Sequence, residues 1–247
     1  MFNANMFQAT VGARGNLFAD FDYDVSFQRG ESDRSNISAG YTNVDAIEES
    51  IRTADGVTCL GDNPSAGCVP INLFGGFGSI TPAMIAANSA SAIEDEKYKQ
   101  TIITGSVTGP IDAVTLPTAA SPLAVSLGYE FREESGQTTP DECWRLLPES
   151  CLGGAGGNRL PVGAGFDVNE FFFEGFMPLV DGVTGIESLA LEVGWRASDY
   201  SHVGSNDTWK AGISWRPIDS LLIRAMQQQA VRAPNVSEIG SPVTSGL

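Results

Sequence analysis

The sequence predicts an all-β chain: an antiparallel transmembrane β-barrel segment of about eight strands, a partial barrel with long loops at one end. Three observations carry this prediction. Apolar and polar residues alternate with period 2 in segments of strand length, connections alternate between tight and long, and the cysteines fall only in the long ones.

The clearest alternation runs over residues 123–134. Leu123, Val125, Leu127, Tyr129 and Phe131 share one parity, while Ala124, Ser126, Gly128, Glu130, Arg132 and Glu134 share the other. Successive side chains of a strand point to opposite faces, so one face is apolar and the other small or charged. The same split recurs over 187–199, 207–217 and 20–28, where Phe21, Tyr23, Val25 and Phe27 oppose Asp22, Asp24, Ser26 and Gln28. Weaker segments at 6–14, 97–109, 167–179 and 221–232 complete the set. Tyr129, Phe131, Trp195, Trp209 and Trp215 stand near the ends of apolar runs, where a barrel carries its aromatic girdles.

A soluble sandwich also alternates, so connection lengths carry the distinction. Tight turns are expected at Gly15-Asn16, around Asp181-Gly182 and at Pro217-Ile218-Asp219, with a somewhat longer link over 110–121. Between them lie long connections at about 30–96 and 135–166 and a shorter one at 200–206. Outer-membrane barrels have short turns at one rim and long extracellular loops at the other. Greek-key sandwiches do not generate this rhythm. Within the first long loop, the cap-like Thr81 and Pro82 predict a short helix in 81–93.

The 247 residues carry 30 Asp+Glu against 14 Lys+Arg, a net charge of −16, which excludes a nucleic-acid binder because phosphate neutralisation needs clustered cations. Mean hydropathy is −0.03. No stretch is long and apolar enough for a membrane helix, and barrel strands escape hydropathy because only alternate residues face lipid. The start of the chain lacks the marks of a signal peptide, so the protein is cytoplasmic or its front end is missing.

Cys59 with Cys68 and Cys143 with Cys151 form two short-range pairs, a spacing that suits local disulfides closing exposed loops in an oxidising compartment. Four unrelated thiols in a cytoplasmic protein is the alternative. Zinc is disfavoured: neither pair is CxxC, and His202 is the only histidine. Asp20, Asp22, Asp24 and Glu31 mimic a calcium loop, but Val25 occupies the position that needs glycine, so no metal is expected. Asp199, Ser201 and His202 are too close in sequence to converge as a triad, and Gly153 to Gly157 lacks the strand-to-helix setting of a phosphate loop. Neither catalysis nor a cofactor is expected. The acidic stretches Glu94-Asp95-Glu96 and Asp141-Glu142 are read as solvated loop charges.

Candidate ligand-facing residues are the charges of the polar parity: Glu130, Arg132, Glu170, Glu174, Glu192, Arg196, Lys210 and Arg224. They touch a small-molecule ligand or a plug domain, or they pair strand to strand as a hydrated wall, the reading favoured here.

Near the end, Arg232-Ala233-Pro234-Asn235-Val236-Ser237-Glu238-Ile239 resembles the recurrent Arg-Ala-Pro-Asn stretch of TonB-dependent outer-membrane receptors. The hairpin around Ser198-Asp199-Tyr200-Ser201, Thr208-Trp209-Lys210-Ala211-Gly212 and Trp215-Arg216-Pro217-Ile218 is similar to those preceding it in that family. Leu127-Gly128-Tyr129-Glu130-Phe131-Arg132 and Cys68-Val69-Pro70-Ile71-Asn72-Leu73-Phe74-Gly75-Gly76 match as well. Gln227, Gln228 and Gln229 depart from it.

The resemblance covers most of residues 1–247 as one partial barrel domain. It implies a bacterial outer-membrane location, lipid around the wall, energy-coupled uptake of a siderophore, cobalamin, saccharide or similar ligand, and coupling to the TonB complex through an N-terminal part not present here. Family barrels have about 22 strands, and the plug domain, TonB box and C-terminal closing strand are not visible. A passive porin-like channel and a soluble acidic β-sandwich binding module remain as alternatives.

Overall fold

A computed structural model describes residues 1–60, 67–145, 152–153 and 159–241. Its strands and helices, in chain order, are β1 (Phe2–Phe18), β2 (Phe21–Asn43), α1 (Val44–Ser50), α2 (Pro82–Ala87), β3 (Ser89–Ile111), β4 (Leu123–Pro140), β5 (Leu152–Gly153), β6 (Val162–Val183), β7 (Ile186–Tyr200), β8 (Gly204–Ile218), β9 (Leu221–Gln229) and α3 (Val236–Gly240). Eight of these strands form one antiparallel meander in the order β1-β2-β3-β4-β6-β7-β8-β9, and the two-residue β5 adds to the end of β2. The sheet is open, with β1 and β9 at its edges. Among the described residues no helix is long and apolar enough to cross a membrane.

Six of the eight alternating segments lie within one strand of the meander; the 20–28 segment starts one residue ahead of β2, and the 221–232 segment overruns β9, which ends at Gln229. The ladder register aligns their parities. Val11, Phe27, Ile103 and Phe131 stand side by side on one face. So do Leu127, Phe173, Trp195 and Trp209, and, lower down, Leu189, Trp215 and Ile223. The apolar parity of every strand therefore lands on the same face. Many of its side chains are exposed, Leu127 to 58% and Phe171 to 59%. The belt they form crosses the register rows obliquely: the row of Phe131 continues into polar Asn169, Asp199 and Ser205. A belt of constant height does this when strands tilt and stagger, as they must to close a barrel.

Except for β9, the strands are longer than the alternation predicts. β2 continues to Asn43 and β3 starts at Ser89, so the first long connection spans 44–88 rather than 30–96; the second spans 141–161 rather than 135–166. The extensions lack an apolar face and so give no period-2 signal. Backbone pairing continues there beside cross-strand ion pairs, Arg34 with Glu96 at 3.1 Å and Lys97 with both Glu31 and Asp33. Glu94-Asp95-Glu96 consequently lies in β3, not in a loop.

The tight turns are also displaced outward, the first to Ala19-Asp20. Gly15 stays in the ladder opposite Tyr23, whose ring lies 3.2 Å from where a Cβ would stand. That glycine makes room for an aromatic neighbour instead of making a turn. In 81–93, Thr81 caps α2 through the Met84 amide at 3.3 Å, but the helix ends at Ala87 and β3 takes the remainder.

The long connections fold down on the strand extensions. Cys59 and Cys68 form a disulfide. Trp144, in a 3-10 turn capped by Asp141, is buried against Ala90, Ala92 and Tyr41. Arg159 lies 3.9 Å over its ring and holds Glu94 with bonds of 2.8 and 2.9 Å. Asp141 also accepts the Ile93 amide at 2.6 Å, so it closes the loop onto β3 rather than standing free in solvent. Cys151 lies outside the described residues, as do residues 154–158 of the glycine stretch.

In the first connection, Asp55 accepts from the Val57 and Thr58 amides at 2.9 and 2.8 Å, which holds its carboxyl down at about 2. A lowered carboxyl supports the fold above the unfolded value, and that support disappears as pH falls through the folded value. Acidification from about pH 4 to about pH 2 is therefore predicted to release this turn. Amide exchange at Val57 and Thr58 checks it, and Asp55→Asn is expected to remove the acid step.

Candidate functional site

The polar face of the sheet gathers the residues of chemical interest. Glu130 pairs with Glu170 in register, Glu174 with Gly194, Arg196 with Phe172, Lys210 with Gly194, and Arg224 with Ser214. Directly paired residues share a face, so all eight sequence candidates, Glu192 included, lie on the same side. Sequence parity placed each one within its strand; only the register brings them together.

Three charge groups form on this face, two across neighbouring strands and one within β4. Arg196 donates to Glu170 at 3.0 Å, and Ser198 donates to the other oxygen of the same carboxylate at 2.5 Å. Glu170 is buried, so this pairing offsets the cost of removing a carboxylate from water. Lys210 bridges Glu174 at 2.9 Å and Glu192 at 3.0 Å. Arg132 contacts Glu134 at 2.5 Å and Glu130 at 3.8 Å. Arg224 makes no ion pair among the described residues and lies on the exposed edge strand β9.

Sequence reasoning left Glu134, Tyr98, Gln100, Ser198 and Phe172 out of the site. Tyr98 and Gln100 donate to the two oxygens of Glu134 at 2.5 and 3.0 Å. Phe172 carries Arg196 at 5.2 Å and lies across Gly128, leaving no room there for a Cβ. All five share the polar parity of their strands. Nothing within one strand, however, says which residue of the next will stand beside it.

Glu130, Arg132, Glu170, Phe172, Arg196 and Lys210 surround a hollow of about 470 Å³ on this face, with Asn206, Thr208 and Gln228 on its wall. Its cations are matched by neighbouring carboxylates. That arrangement suits neutral polar guests or water better than a strongly charged one.

The calcium-like carboxylates do not converge. Asp22 and Asp24 sit on the polar face opposite Thr108 and Ser106, whereas Glu31 has the other parity and pairs with Lys97. No cluster suited to a metal occurs among the described residues. The three triad-like residues are separately engaged: Ser201 accepts the Asp167 amide at 3.0 Å, Asp199 accepts from Ser205 at 2.7 Å, and His202 packs on Phe166.

The Arg232 stretch has a local structural logic. Asn235 caps α3 by accepting the Glu238 amide at 2.9 Å, and Glu238 returns a bond from the Asn235 amide at 2.8 Å, a capping box. Arg232 holds the same Glu238 carboxylate with two nitrogens. Pro234 lies just ahead of the cap.

The Glu170 pairing makes a prediction. Arg196→Leu strands a buried carboxylate and is expected to cost about 2 kcal/mol, below the full penalty of a buried pair because Arg196 itself is partly exposed. Glu170→Gln combined with Arg196→Leu is expected to cost less than the sum of the single changes. Denaturant unfolding in detergent measures both. Comparison with known proteins found no match, whether among family models, curated sequences or solved structures.

Proposed function

We propose that this chain is part of the wall of a bacterial outer-membrane β-barrel, within a TonB-dependent receptor for energy-coupled uptake of a small-molecule ligand. The observation that carries the proposal is the apolar belt. One face of the eight-strand meander is covered by exposed Leu, Ile, Val, Phe and Trp side chains, while the other holds paired charges. In water so large an apolar surface is a liability; against acyl chains it is the expected surface.

Dimensions agree with this. From Leu123 to Phe131 the belt extends roughly 27 Å along β4 at about 3.4 Å per residue. A strand tilt of about 40° reduces this to roughly 20 Å, close to the apolar height of about 25 Å in barrels of this class. Above the belt come Glu133, Asp167, Asp199 and Asp207, the polar edge expected beyond the acyl region. The long connections share this rim, so it is the extracellular one in our reading. Lipid, a ligand reaching the polar face, and the TonB complex acting through a further part of the protein are the partners this reading implies.

The receptor assignment, as distinct from the barrel, rests on the resemblance of residues 232–239, whose clamp and capping box give those residue types a reason to occur together. The open edges of β1 and β9 call for further strands to close the wall. An in-frame plug domain encoded upstream supports the receptor; a separate short gene with its own export signal contradicts it.

The barrel makes its own prediction. Leu127→Arg and Phe171→Arg are expected to lower folding into bilayers by about 2–4 kcal/mol, and Ser126→Arg on the opposite face by much less. Folded fraction in lipid vesicles measures this. A monodisperse, cooperatively melting monomer without detergent, indifferent to Leu127→Arg, contradicts the proposal.

A further inference from the structure

The hollow on the polar face exists because large side chains lie flat on the sheet beneath it. Phe172 lies across Gly128 and the Lys210 stem across Gly194, where a Cβ would stand 2.6 Å from Lys210 Cε. A side chain at either glycine would lift these groups into the space above. Arg196 lies in turn over the Phe172 ring at 5.2 Å. About 470 Å³ stays open, within the range of about 300–1,000 Å³ usual for small-molecule sites.

Two kinds of polar group line this space. The charged ones balance: Arg132, Arg196 and Lys210 stand with Glu130, Glu170 and Glu174, and each cation already contacts a carboxylate. A guest with a net charge finds no unmatched counter-charge among them.

The uncharged ones are unused. The side chains of Tyr200, Asn206, Thr208 and Gln228 make no hydrogen bond among the described residues. Register sets three of them along β8 and β9, Asn206 opposite Ser198, Thr208 opposite Arg196 and Gln228 opposite Lys210. The glutamines that depart from the family resemblance thus divide their tasks. Gln228 faces the hollow, Gln229 accepts from the Trp209 indole at 3.0 Å, and Gln227 stands on the other face opposite Ala211.

A side-chain amide presents donor and acceptor side by side, and a hydroxyl both donates and accepts. The hydroxyls of a sugar have the same dual character. Such a guest can use the amides, the hydroxyls and the spare lone pairs of Glu130 and Glu174 together. A carboxylate guest only accepts and an ammonium guest only donates, so each leaves part of the wall unpaired.

We infer that this hollow binds a neutral, polyhydroxylated ligand of the saccharide class, with Asn206, Thr208 and Gln228 as its hydrogen-bonding wall. The inference rests on the uptake reading given above, in which a ligand reaches this face, and it narrows that ligand to one chemical class.

Ligand-observed NMR on the full chain, folded in micelles of a detergent without a sugar headgroup, tests it. The probes are the neutral trisaccharides maltotriose, cellotriose and raffinose, with trigalacturonate as an anionic counterpart. At least one neutral trisaccharide is expected to bind with a Kd of about 1 mM or tighter, and trigalacturonate at least about tenfold more weakly. Asn206→Ala combined with Gln228→Ala is expected to weaken the neutral sugar about tenfold. Gln227→Ala, on the other face of the same strand, is expected to leave it unchanged. No binding of any of the three at about 10 mM, equal binding of trigalacturonate, or an equal effect of Gln227→Ala overturns the inference. Folding of the same preparation into lipid vesicles keeps the two readings apart. A chain that inserts but binds no sugar contradicts this inference alone, and one that binds sugar but is indifferent to Leu127→Arg contradicts the barrel alone.

Discussion

The structure depends on one constraint: a continuous antiparallel ladder in which every strand keeps the same parity toward the same face. A slip of one residue at any of the seven interfaces of the main meander would send a strand's apolar residues to the polar side. Glu170 could then no longer meet Arg196, nor Lys210 its two carboxylates. Side-chain chemistry and backbone pairing thus reinforce each other. Where register shifts do occur, at Ala39/Tyr41, Asn16/Phe18, Pro178/Val180 and Trp215/Ile218, they lie toward strand ends and leave the central belt aligned.

The two faces use different means to hold the strands together. On the apolar face, stabilisation comes from apolar neighbours such as Tyr129 and Phe171, with ring centroids 4.9 Å apart. The polar face relies on matched charges, several anchored on carboxylates that are themselves mostly covered. Toward the rim the long connections add a small core of their own, built on Trp144, which ties them to the strand extensions. In the proposed barrel, such a sheet would face water or a polar guest on one side without losing cohesion.

Strand identity and order were legible in the sequence because period-2 alternation is a local property. Strand ends were not: beyond Phe27 and Phe131 the chain meets Arg29 and Glu133, the alternation stops, and pairing continues regardless. The eight candidate charges were legible as a parity class, whereas their partners needed the register. Ser198 and Glu134 escaped for that reason, and the seat of α3 escaped because it joins Val236 to Phe166 across 70 residues of chain. Gly15 misled in the opposite direction, since a glycine beside asparagine suggests a turn, yet here it accommodates the Tyr23 ring.

The tryptophans provide the most direct test of the central claim that the apolar face lies against lipid. Trp195, Trp209 and Trp215 have the apolar parity, while Trp144 is buried in the loop core. In vesicles containing lipids brominated along their acyl chains, single-tryptophan variants that retain Trp195, Trp209 or Trp215 should be strongly quenched, and one that retains Trp144 should not. Equal quenching of all four, or none at the three belt positions, would contradict the account.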